Sequence, residues 1–400
     1  MENDKIKILQ VIEGMDIGGE AGGAERFSLD LSLTLDKSKF DVSVLSFYKT
    51  NSEIETKWLE TLRKTKIPIS FVIERKKYNR FLGDIIGIIS ISKILKNTSV
   101  DIIHSHFHRG TIGTLFTRLH TKKRKLIRTV HLTYERGYGF IGELRRLLFV
   151  NFLFPLMLDA EVAVSRGAIE TLNKRPIQKI TKKQGHLIYN AIPVSKIVAE
   201  PFNNDEKRIV IGTVARLAEQ KGLIYLVNAA KLVCEIIPNV TFEIVGEGKL
   251  RNLLIDETKR LQITDKVIFK GKNQNVAGFL EQIKIFVLPS LWEGLPTVIM
   301  EAMAAGVPVI ATNIPGTDEL IRDGVNGILV PARDSQALAE AIITVLNCPE
   351  MQSKYREASL VSVNNFSIEK IAGDYERLFE HLVKRTEINQ TGSFPSNTAL

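Results

Sequence analysis

Short apolar runs alternate along the chain with segments whose apolar residues recur every three or four positions. Helical periodicity of this kind is clear over residues 24–35 and 84–95. Between such segments the first half of the chain contains apolar runs at 7–12, 40–45, 69–73, 100–104, 125–130, 160–164 and 185–189. Strand–helix alternation predicts parallel sheets covered by helices on both faces.

The same alternation restarts after a polar stretch at residues 201–207, which we interpret as a linker. Further strands are predicted at 208–214, 240–245, 266–270, 283–288 and 307–310. We therefore expect an α/β protein with two Rossmann-like, doubly wound domains facing across a cleft. Parallel sheets bind ligands beyond the carboxyl ends of their strands, so we expect the site in that cleft.

The predicted domain limits follow from these patterns. An N-terminal domain is expected over 1–200 and a C-terminal domain over 208–365. A helix at 366–385 is expected to pack back on the N-terminal domain, and a polar, flexible tail is expected at 386–400.

Basic residues are concentrated in the first half of the chain. Residues 61–130 contain 16 Lys and Arg against 3 Asp and Glu, whereas the whole chain carries a formal charge of +9. Such a face attracts the phosphates of anionic lipids or nucleic acids. A solubilising surface explains it equally well. Nucleic acid is the least favoured partner, because no aromatic stacking pattern accompanies the basic residues.

Several features favour a cytoplasmic protein. The two cysteines, Cys234 and Cys348, lack metal-ligand spacing and suit a reducing compartment. The N-terminus has no signal-peptide pattern. The longest apolar run, 147–158, is shorter than the roughly 20 residues that span a bilayer. The stretch 143–154 combines arginines with a wide apolar face, which predicts either a membrane-surface helix or a core helix.

The most informative motif follows the strand predicted at 283–288. Glu293 lies in a turn rich in Gly and Pro, and Glu301 lies in the helix that begins near Pro296. Carboxylates accept hydrogen bonds from sugar hydroxyls, and free amides of the turn at 294–298 bind phosphate. The alternative is that Glu301 is a helix-surface charge and Glu293 a partner of the helix dipole.

A second motif follows the strand predicted at 208–214. Arg216 and Lys221 lie just before a predicted helix, and together they could neutralise a diphosphate and stabilise a departing nucleotide. The alternative is two surface cations, which the dipole of a helix start disfavours.

With these two motifs the chain resembles the retaining glycosyltransferases of family 4, which have the GT-B fold. The matching patterns are the family's E-x7-E and G-R-L-x-x-x-K-G elements, with Ala215 where the family usually has Gly. The resemblance implies that the catalytic residues are His131, Arg216, Lys221 and Glu293. It implies that the donor-binding residues are Gly22, Gly23, Arg216, Lys221, Gly246, Lys272, Glu293, Gly294, Leu295 and Glu301.

Histidines follow two predicted strands of the first domain. His131 is expected to hydrogen-bond a sugar hydroxyl or to help neutralise developing charge, and the alternative is a structural role. His104, His106 and His108 alternate in sequence, which raises a zinc interpretation that we disfavour because the family has H-x-H here without metal. His106 and Asn190 are instead expected to line the acceptor cleft.

The predicted activity is transfer of a sugar from a UDP- or GDP-sugar to a hydroxyl of a glycan or lipid-linked acceptor. Bacterial surface polysaccharide or glycolipid synthesis is the expected setting, with peripheral contact to the inner face of an anionic membrane. No Asp-x-Asp pair and no P-loop occur in the sequence, so we expect neither a metal nor a cofactor. The alternatives are an epimerase or phosphorylase on the same fold, or a non-catalytic nucleotide-sugar-binding subunit.

Overall fold

The structure is a computed structural model. It describes residues 5–16, 23–75, 80–119, 123–132, 144, 146–181, 183–197, 209–272 and 275–391. The chain divides into two units. The first contains Met1–Val164, Ala168–Ile188 and Ile368–Leu400, and the second contains Ser165–Gly167 and Tyr189–Ser367. The boundary expected at residue 200 therefore lies within the second unit, and the expected linker lies outside the described residues.

The first unit is built on a parallel sheet. Its strands, over the described residues, are β1 (Ile6–Ile12), β2 (Phe40–Lys49), β3 (Ile69–Glu74), β4 (Ile102–Ser105), β5 (Lys125–Val130), β6 (Ala160–Ala163) and β7 (His186–Leu187). They lie in the order β3-β2-β1-β4-β5-β6-β7, with parallel pairing throughout.

Helices cover both faces of this sheet. They are α1 (Gly23–Thr34), α2 (Glu53–Lys64), α3 (Arg80–Lys96), α4 (His108–Leu115), a π-helix (Arg146–Leu153), α5 (Phe154–Met157), α6 (Arg166–Asn173) and α7 (Pro176–Thr181). Neighbouring residues of a strand point to opposite faces. Accordingly, Val44 packs in a cluster with residues of α1 and α2, whereas Leu45 packs with residues of α3, α4 and the π-helix.

The last helix, α14 (Ile368–Thr391), belongs to the first unit. Its Tyr375 ring lies 5.9 Å from Phe27, and its Phe379 ring lies 6.2 Å from Phe40. These aromatic contacts hold the helix on the α1 side of the sheet. The helix continues to Thr391, beyond the end expected at residue 385, and residues 392–400 lie outside the described part of the chain.

The second unit repeats the architecture. Over the described residues its strands are β8 (Ile209–Val214), β9 (Val240–Val245), β10 (Val267–Gly271), β11 (Ile285–Leu288), β12 (Val309–Thr312) and β13 (Ile328–Val330). They form a parallel sheet in the order β10-β9-β8-β11-β12-β13. Its helices are α8 (Leu223–Ile236), α9 (Arg251–Arg260), α10 (Val276–Leu280), α11 (Thr297–Ala304), α12 (Ser335–Leu346) and α13 (Pro349–Ser362).

The prediction of two doubly wound parallel sheets is confirmed. In each sheet the strand order reverses direction at one point, between β1 and β4 in the first unit and between β8 and β11 in the second. Ligands of such sheets bind beyond the carboxyl ends of the strands at this switch point. The loops after these four strands are therefore where a site is expected. No helix within the described residues is long and apolar enough to cross a bilayer.

Candidate functional site

The loops after β8 and β11 place an ion pair at the switch point of the second sheet. The Lys221 Nζ atom lies 2.5 Å from Glu293 Oε1, and the Ser290 hydroxyl donates to the same oxygen at 2.6 Å. The Glu293 side chain is 7% exposed and that of Lys221 is 16% exposed. The two motifs therefore meet, and Lys221 is a largely buried, paired cation rather than a surface one.

Gln220 connects this pair to Arg216. The amide nitrogen of Gln220 donates to the Trp292 carbonyl at 2.9 Å and lies 3.5 Å from Glu293 Oε2. Its oxygen accepts from the exposed Arg216 guanidinium at 3.3 Å. One neutral side chain thus holds Arg216 beside the buried carboxylate, while the guanidinium still faces solvent. Two cations and a carboxylate lie together at the end of the sheet.

Gly222 allows the two loops to approach this closely. Its φ of +58° is in the left-handed region, and a Cβ at this position would lie 2.1 Å from the Pro289 carbonyl oxygen. The neighbouring Gln220 carbonyl accepts from the Leu291 amide at 2.7 Å. The loop after β11 therefore lies against the backbone of Gln220 and Gly222, and this approach requires a residue without a Cβ atom at position 222.

We expect Gly222→Ala to lower the melting temperature more than Gly324→Ala does. Both glycines have a left-handed φ, but a Cβ at Gly324 meets nothing within 4 Å. The backbone strain common to both costs about 1–2 kcal/mol, and the clash with Pro289 adds to it only at Gly222. Differential scanning calorimetry of the two variants measures the difference. Equal melting temperatures would contradict the account of this turn.

Glu301 lies in α11, whose eight residues begin directly after Pro296. It is 6% exposed, so the alternative of a helix-surface charge is wrong for this residue. The turn before the helix is fixed from outside by Gly316, where a Cβ would lie 2.1 Å from the Gly294 carbonyl oxygen. Glu301 is therefore held in the buried second turn of a helix whose first turn follows Glu293.

Asn190, predicted for the acceptor cleft, lies in the second unit. It is buried, and its side-chain nitrogen is 3.5 Å from the Leu295 carbonyl oxygen. Its Oδ1 atom has no hydrogen-bond partner among the described residues. The structure thus places Asn190 beside the turn that contains Gly294 and Leu295, both predicted to bind the donor.

Gly246 and Lys272 lie at different places relative to the cluster of Arg216, Lys221 and Glu293. Gly246 follows β9, where a Cβ would lie 1.9 Å from the Ala215 carbonyl oxygen, so it packs against the loop that contains Arg216. Its amide donates to the Gly271 carbonyl at 2.8 Å. Lys272 is exposed and follows the edge strand β10, which β9 separates from β8. Of these two residues, Gly246 lies at the Arg216 loop and Lys272 at the sheet edge.

Glu319, which lies between β12 and β13, is tied to the first residue of α6. The Arg166 amide donates to both carboxylate oxygens at 2.8 Å. Burial raises the pKa of Glu319, and it also raises the pKa of the neighbouring Tyr189. These contacts explain why 165–167 and the chain from Tyr189 belong to the second unit.

Polar side chains also meet at the switch point of the first sheet. His106, after β4, lies with its Nδ1 atom 3.3 Å from His131 Nε2, after β5. Its Nε2 atom lies 2.8 Å from Gln10 Oε1 on β1. Burial lowers the pKa of His131 to about 3 and holds that of His106 well below its ordinary value. Burial therefore favours the neutral imidazole at both positions near pH 7.

Two glycines of the first unit, Gly22 and Gly23, are predicted to bind the donor. Gly23 is the first residue of α1, and Gly22 lies outside the described residues. Phe27 of the same helix packs edge-on against the rings of His106 and His131, at centroid distances of 6.2 and 5.8 Å. The helix that follows the glycine loop therefore forms one wall around the two histidines.

Of the three alternating histidines, His104 and His106 lie with ring centroids 4.1 Å apart, whereas His108 packs against aromatic rings of another cluster. His104 hydrogen-bonds Thr129 at 2.7 Å within the core, and the ring of His108 packs 5.1 Å from Phe154. Over the residues that the structure describes, no group of three or more His, Cys, Asp or Glu side chains is arranged to hold a metal ion.

Sequence reasoning missed three residues of these clusters: Gln10, Gln220 and Ser290. Each is an uncharged side chain that hydrogen-bonds a predicted site residue, from another strand or loop for Gln10 and Gln220 and within the same loop for Ser290. A weak signal exists for Gln10, which is a polar residue inside the apolar run of β1. Gln220 lies within the predicted Arg216–Lys221 motif, but its side-chain direction is set by the tertiary contact with Trp292.

Comparison with protein families gives two matches that together span most of the chain. Residues 21–196 match the model described as Glycosyltransferase Family 4, and residues 195–360 match the model described as Glycosyl transferases group 1.

The names of individual relatives agree with these family matches. A UDP-Gal:alpha-D-GlcNAc-diphosphoundecaprenol alpha-1,3-galactosyltransferase of Escherichia coli is 25% identical, over 90% of this chain and 94% of the relative. An N-acetyl-alpha-D-glucosaminyl L-malate synthase of Bacillus anthracis is 26% identical, over 74% and 78% respectively. The crystal structure of Anabaena Alr3699/HepE in complex with UDP and glucose superposes with a TM-score of 0.76 at 19% identity, covering 94% of this chain and all of that one.

The two parallel-sheet units and these matches define the class: the chain is a glycosyltransferase with the GT-B fold. Within that class, the match of residues 21–196 to the Glycosyltransferase Family 4 model and of residues 195–360 to the group 1 model supports a family 4 type.

Proposed function

We propose that the protein transfers a sugar, with retention of anomeric configuration, from a UDP- or GDP-sugar to a hydroxyl of a lipid-linked glycan acceptor. The observation that carries the donor part is the meeting of Lys221, Glu293 and Arg216 at the end of the second sheet. In this proposal the cations bind the diphosphate, and Glu293 and Glu301 bind hydroxyls of the donor.

The proposed mechanism needs no covalent nucleophile. The bond from the anomeric carbon to the phosphate oxygen breaks while the acceptor oxygen bonds to that carbon from the same face. The acceptor proton passes to the leaving phosphate oxygen. Arg216 and Lys221 stabilise the charge that grows on this phosphate, which is where preorganised cations contribute most to catalysis.

A binding and turnover assay tests the donor assignment. We expect UDP- or GDP-hexoses to raise the melting temperature, and we expect nucleotide release that depends on added acceptor and continues in excess EDTA. Loss of activity in excess EDTA would contradict the proposal that the transfer needs no metal ion. Release without acceptor, or an altered donor sugar, would favour the epimerase alternative. The anomeric configuration of the product, read by NMR, tests retention.

An apolar and basic helical layer supports a lipid-linked acceptor. The helices α3, α4, α5 and the π-helix cover one face of the first sheet and share one core cluster. Their outer surface exposes large apolar side chains, among them Ile85, Ile89, Leu147, Leu148, Phe152 and Leu156. Exposed apolar side chains concentrated in this way are typical of an interaction site.

The charge of the same layer favours an anionic bilayer as its partner. Lys93 and Lys96 are exposed at the end of α3, and Lys179 is exposed on α7, which packs against the π-helix. Two acidic residues nearby are already paired, Asp84 with Arg109 and Asp159 with Arg118. Basic residues around apolar ones bind the headgroups while the apolar side chains enter the interface.

We expect the triple variant Leu147→Ser, Leu148→Ser, Phe152→Ser to lose about 100-fold or more of its affinity for vesicles of phosphatidylglycerol and phosphatidylcholine, because each apolar side chain contributes about 1–2 kcal/mol when buried. Co-sedimentation measures this. The double variant Ile236→Ser, Val361→Ser removes exposed apolar side chains from the second unit and serves as the control. Equal binding by the two variants would rule out this layer as the membrane surface.

A further inference from the structure

Four polar side chains of the first unit form a cluster at the carboxyl ends of β1 and β2. Glu13 directly follows β1, Tyr48 lies near the end of β2, Asp84 lies early in α3 and Arg109 lies at the start of α4. The Glu13 carbonyl accepts from the Tyr48 amide at 2.9 Å. Because β1 and β4 flank the switch point of this sheet, the cluster lies where such sheets bind ligands.

The guanidinium of Arg109 is held from two sides. Its Nη1 atom donates to Glu13 Oε1 at 2.5 Å, and its Nε atom lies 2.9 Å from Asp84 Oδ2. The Tyr48 hydroxyl donates to Asp84 Oδ1 at 2.8 Å. Burial raises the pKa of Tyr48 to about 12, so this phenol stays protonated near neutral pH. Both oxygens of Asp84 are therefore engaged in fixing the cluster.

Glu13 and Arg109 keep unused hydrogen-bonding atoms. Among the described residues, Glu13 Oε2 accepts no hydrogen bond and Arg109 Nη2 donates none. The Glu13 side chain is 36% exposed and that of Arg109 is 16% exposed, so a ligand can reach both groups from solvent. The structure thus offers an acceptor and a donor on two groups that are already joined and oriented.

The charges of the cluster restrict its ligand. Two carboxylates surround one guanidinium, so a phosphate group would meet like charge. A metal ion is disfavoured because the guanidinium already occupies the space between the carboxylates. A sugar fits, since one hydroxyl can donate to the Glu13 carboxylate while Arg109 donates to a neighbouring hydroxyl or to an N-acetyl carbonyl.

An apolar stripe on α3 leads away from the cluster. Leu82, Ile85 and Ile89 are exposed, and their spacing of three and four places them on one face of the helix. Because α3 connects the parallel strands β3 and β4, it begins at the carboxyl edge of the sheet and runs towards the opposite edge. From Asp84 to Ile89 the helix advances about 7–8 Å. An apolar chain linked to a sugar in the cluster can therefore lie along this stripe.

We propose that Glu13 and Arg109 bind neighbouring polar groups of the acceptor sugar, and that Ile85 and Ile89 contact the apolar chain to which this sugar is linked. The identity of this sugar as the acceptor rests on the proposed function. Both contacts lie within the first unit, and no phosphate lies at the cluster.

Alkyl glycosides test both contacts without knowledge of the natural acceptor. Methyl and octyl glycosides of glucose, galactose, N-acetylglucosamine and N-acetylgalactosamine are titrated into the wild-type protein in the presence of UDP or GDP. Ligand-observed NMR measures their affinities, with the octyl compounds kept below their micelle concentrations. At least one sugar is expected to bind, and its octyl glycoside about tenfold more tightly than its methyl glycoside. If no glycoside binds, the cluster is not a sugar site.

Glu13→Gln tests the polar contact. The amide keeps an oxygen for Arg109 but replaces the unused carboxylate oxygen with a nitrogen, so we expect the methyl and octyl glycosides to bind about tenfold more weakly. The control is Glu60→Gln, which neutralises an exposed carboxylate of α2, a helix that packs on the other face of the sheet. Equal affinities of the two variants for the glycosides would overturn the assignment of Glu13.

The double variant Ile85→Ser, Ile89→Ser tests the apolar contact. It is expected to bind the methyl glycoside as the wild type does and to lose the additional affinity for the octyl glycoside. An octyl preference that persists in this variant would contradict the contact with α3. Sugar-nucleotide binding is measured separately. If the glycosides bind through Glu13 but no sugar nucleotide binds, the proposed function fails and the sugar site stands.

Discussion

Lys221→Ala lowers kcat for sugar transfer by about 10²–10³-fold in this account, as expected when one preorganised charge at a developing oxyanion is removed. Lys221 is suited to this role because its ammonium is partly exposed and lies at the carboxyl end of β8, next to the switch point. Its contact with Glu293 fixes the side chain before the donor binds, so little conformational entropy remains to be lost.

The matched control for this variant is Lys231→Ala. Lys231 lies on α8 in the same unit and pairs with Glu235 at 3.0 Å on the helix surface, where such a pair contributes about 0–1 kcal/mol. Initial rates under saturating donor and acceptor measure kcat for both variants. We expect Lys221→Arg, which keeps the charge, to lose less than Lys221→Ala. If Lys221→Ala and Lys231→Ala turned over alike, Lys221 would have no role in the chemistry.

Glu293→Gln is expected to lower kcat/KM by about 10²-fold and to destabilise the second unit modestly. Glutamine keeps an oxygen for Ser290 and Lys221, but it leaves the ammonium without its opposite charge. Removing one partner of a fully buried pair costs about 3–5 kcal/mol. We expect about 1–3 kcal/mol here, because Lys221 still reaches solvent.

Two measurements separate the catalytic effect of Glu293→Gln from its structural effect. Calorimetric unfolding gives the change in stability, and initial rates well below the melting temperature give the change in kcat/KM. The control is Glu235→Gln, which neutralises an exposed carboxylate of α8. A Glu293→Gln enzyme that is less stable but fully active would show that the carboxylate serves the fold and not the donor.

Much of the fold could be predicted from the sequence because each strand is a short apolar run bounded by polar residues. The limits of β5 and β9 agree with prediction at both ends. The boundary between the units was less predictable, since it depends on the contact between Glu319 and the Arg166 amide, which are far apart in sequence. No local pattern encodes such a contact.

The candidate site likewise contains some residues that the sequence predicts and others that it does not. Arg216, Lys221, Glu293 and Glu301 could be predicted because their spacing after apolar strands is a local property of the sequence. The roles of Gln10 and Gln220 could not, since a neutral hydrogen-bonding residue is common anywhere and gains meaning only when another part of the chain brings a partner to it. Ser290 lies only three residues before Glu293, but serine is too common in loops to mark a site. The neutral state of His131 was also hidden, because it results from burial in the folded unit.

The central claim is that Lys221 binds the distal phosphate of a nucleotide sugar, and a pair of calorimetric titrations tests it most directly. Wild-type protein and Lys221→Ala are each titrated with a nucleoside diphosphate and the matching monophosphate, UDP with UMP or GDP with GMP. A hydrogen bond to a charged group contributes about 1.5–3 kcal/mol. The account predicts that the wild-type protein binds the diphosphate about 10–100-fold more tightly, and that Lys221→Ala loses most of this preference. An undiminished preference in Lys221→Ala would contradict it.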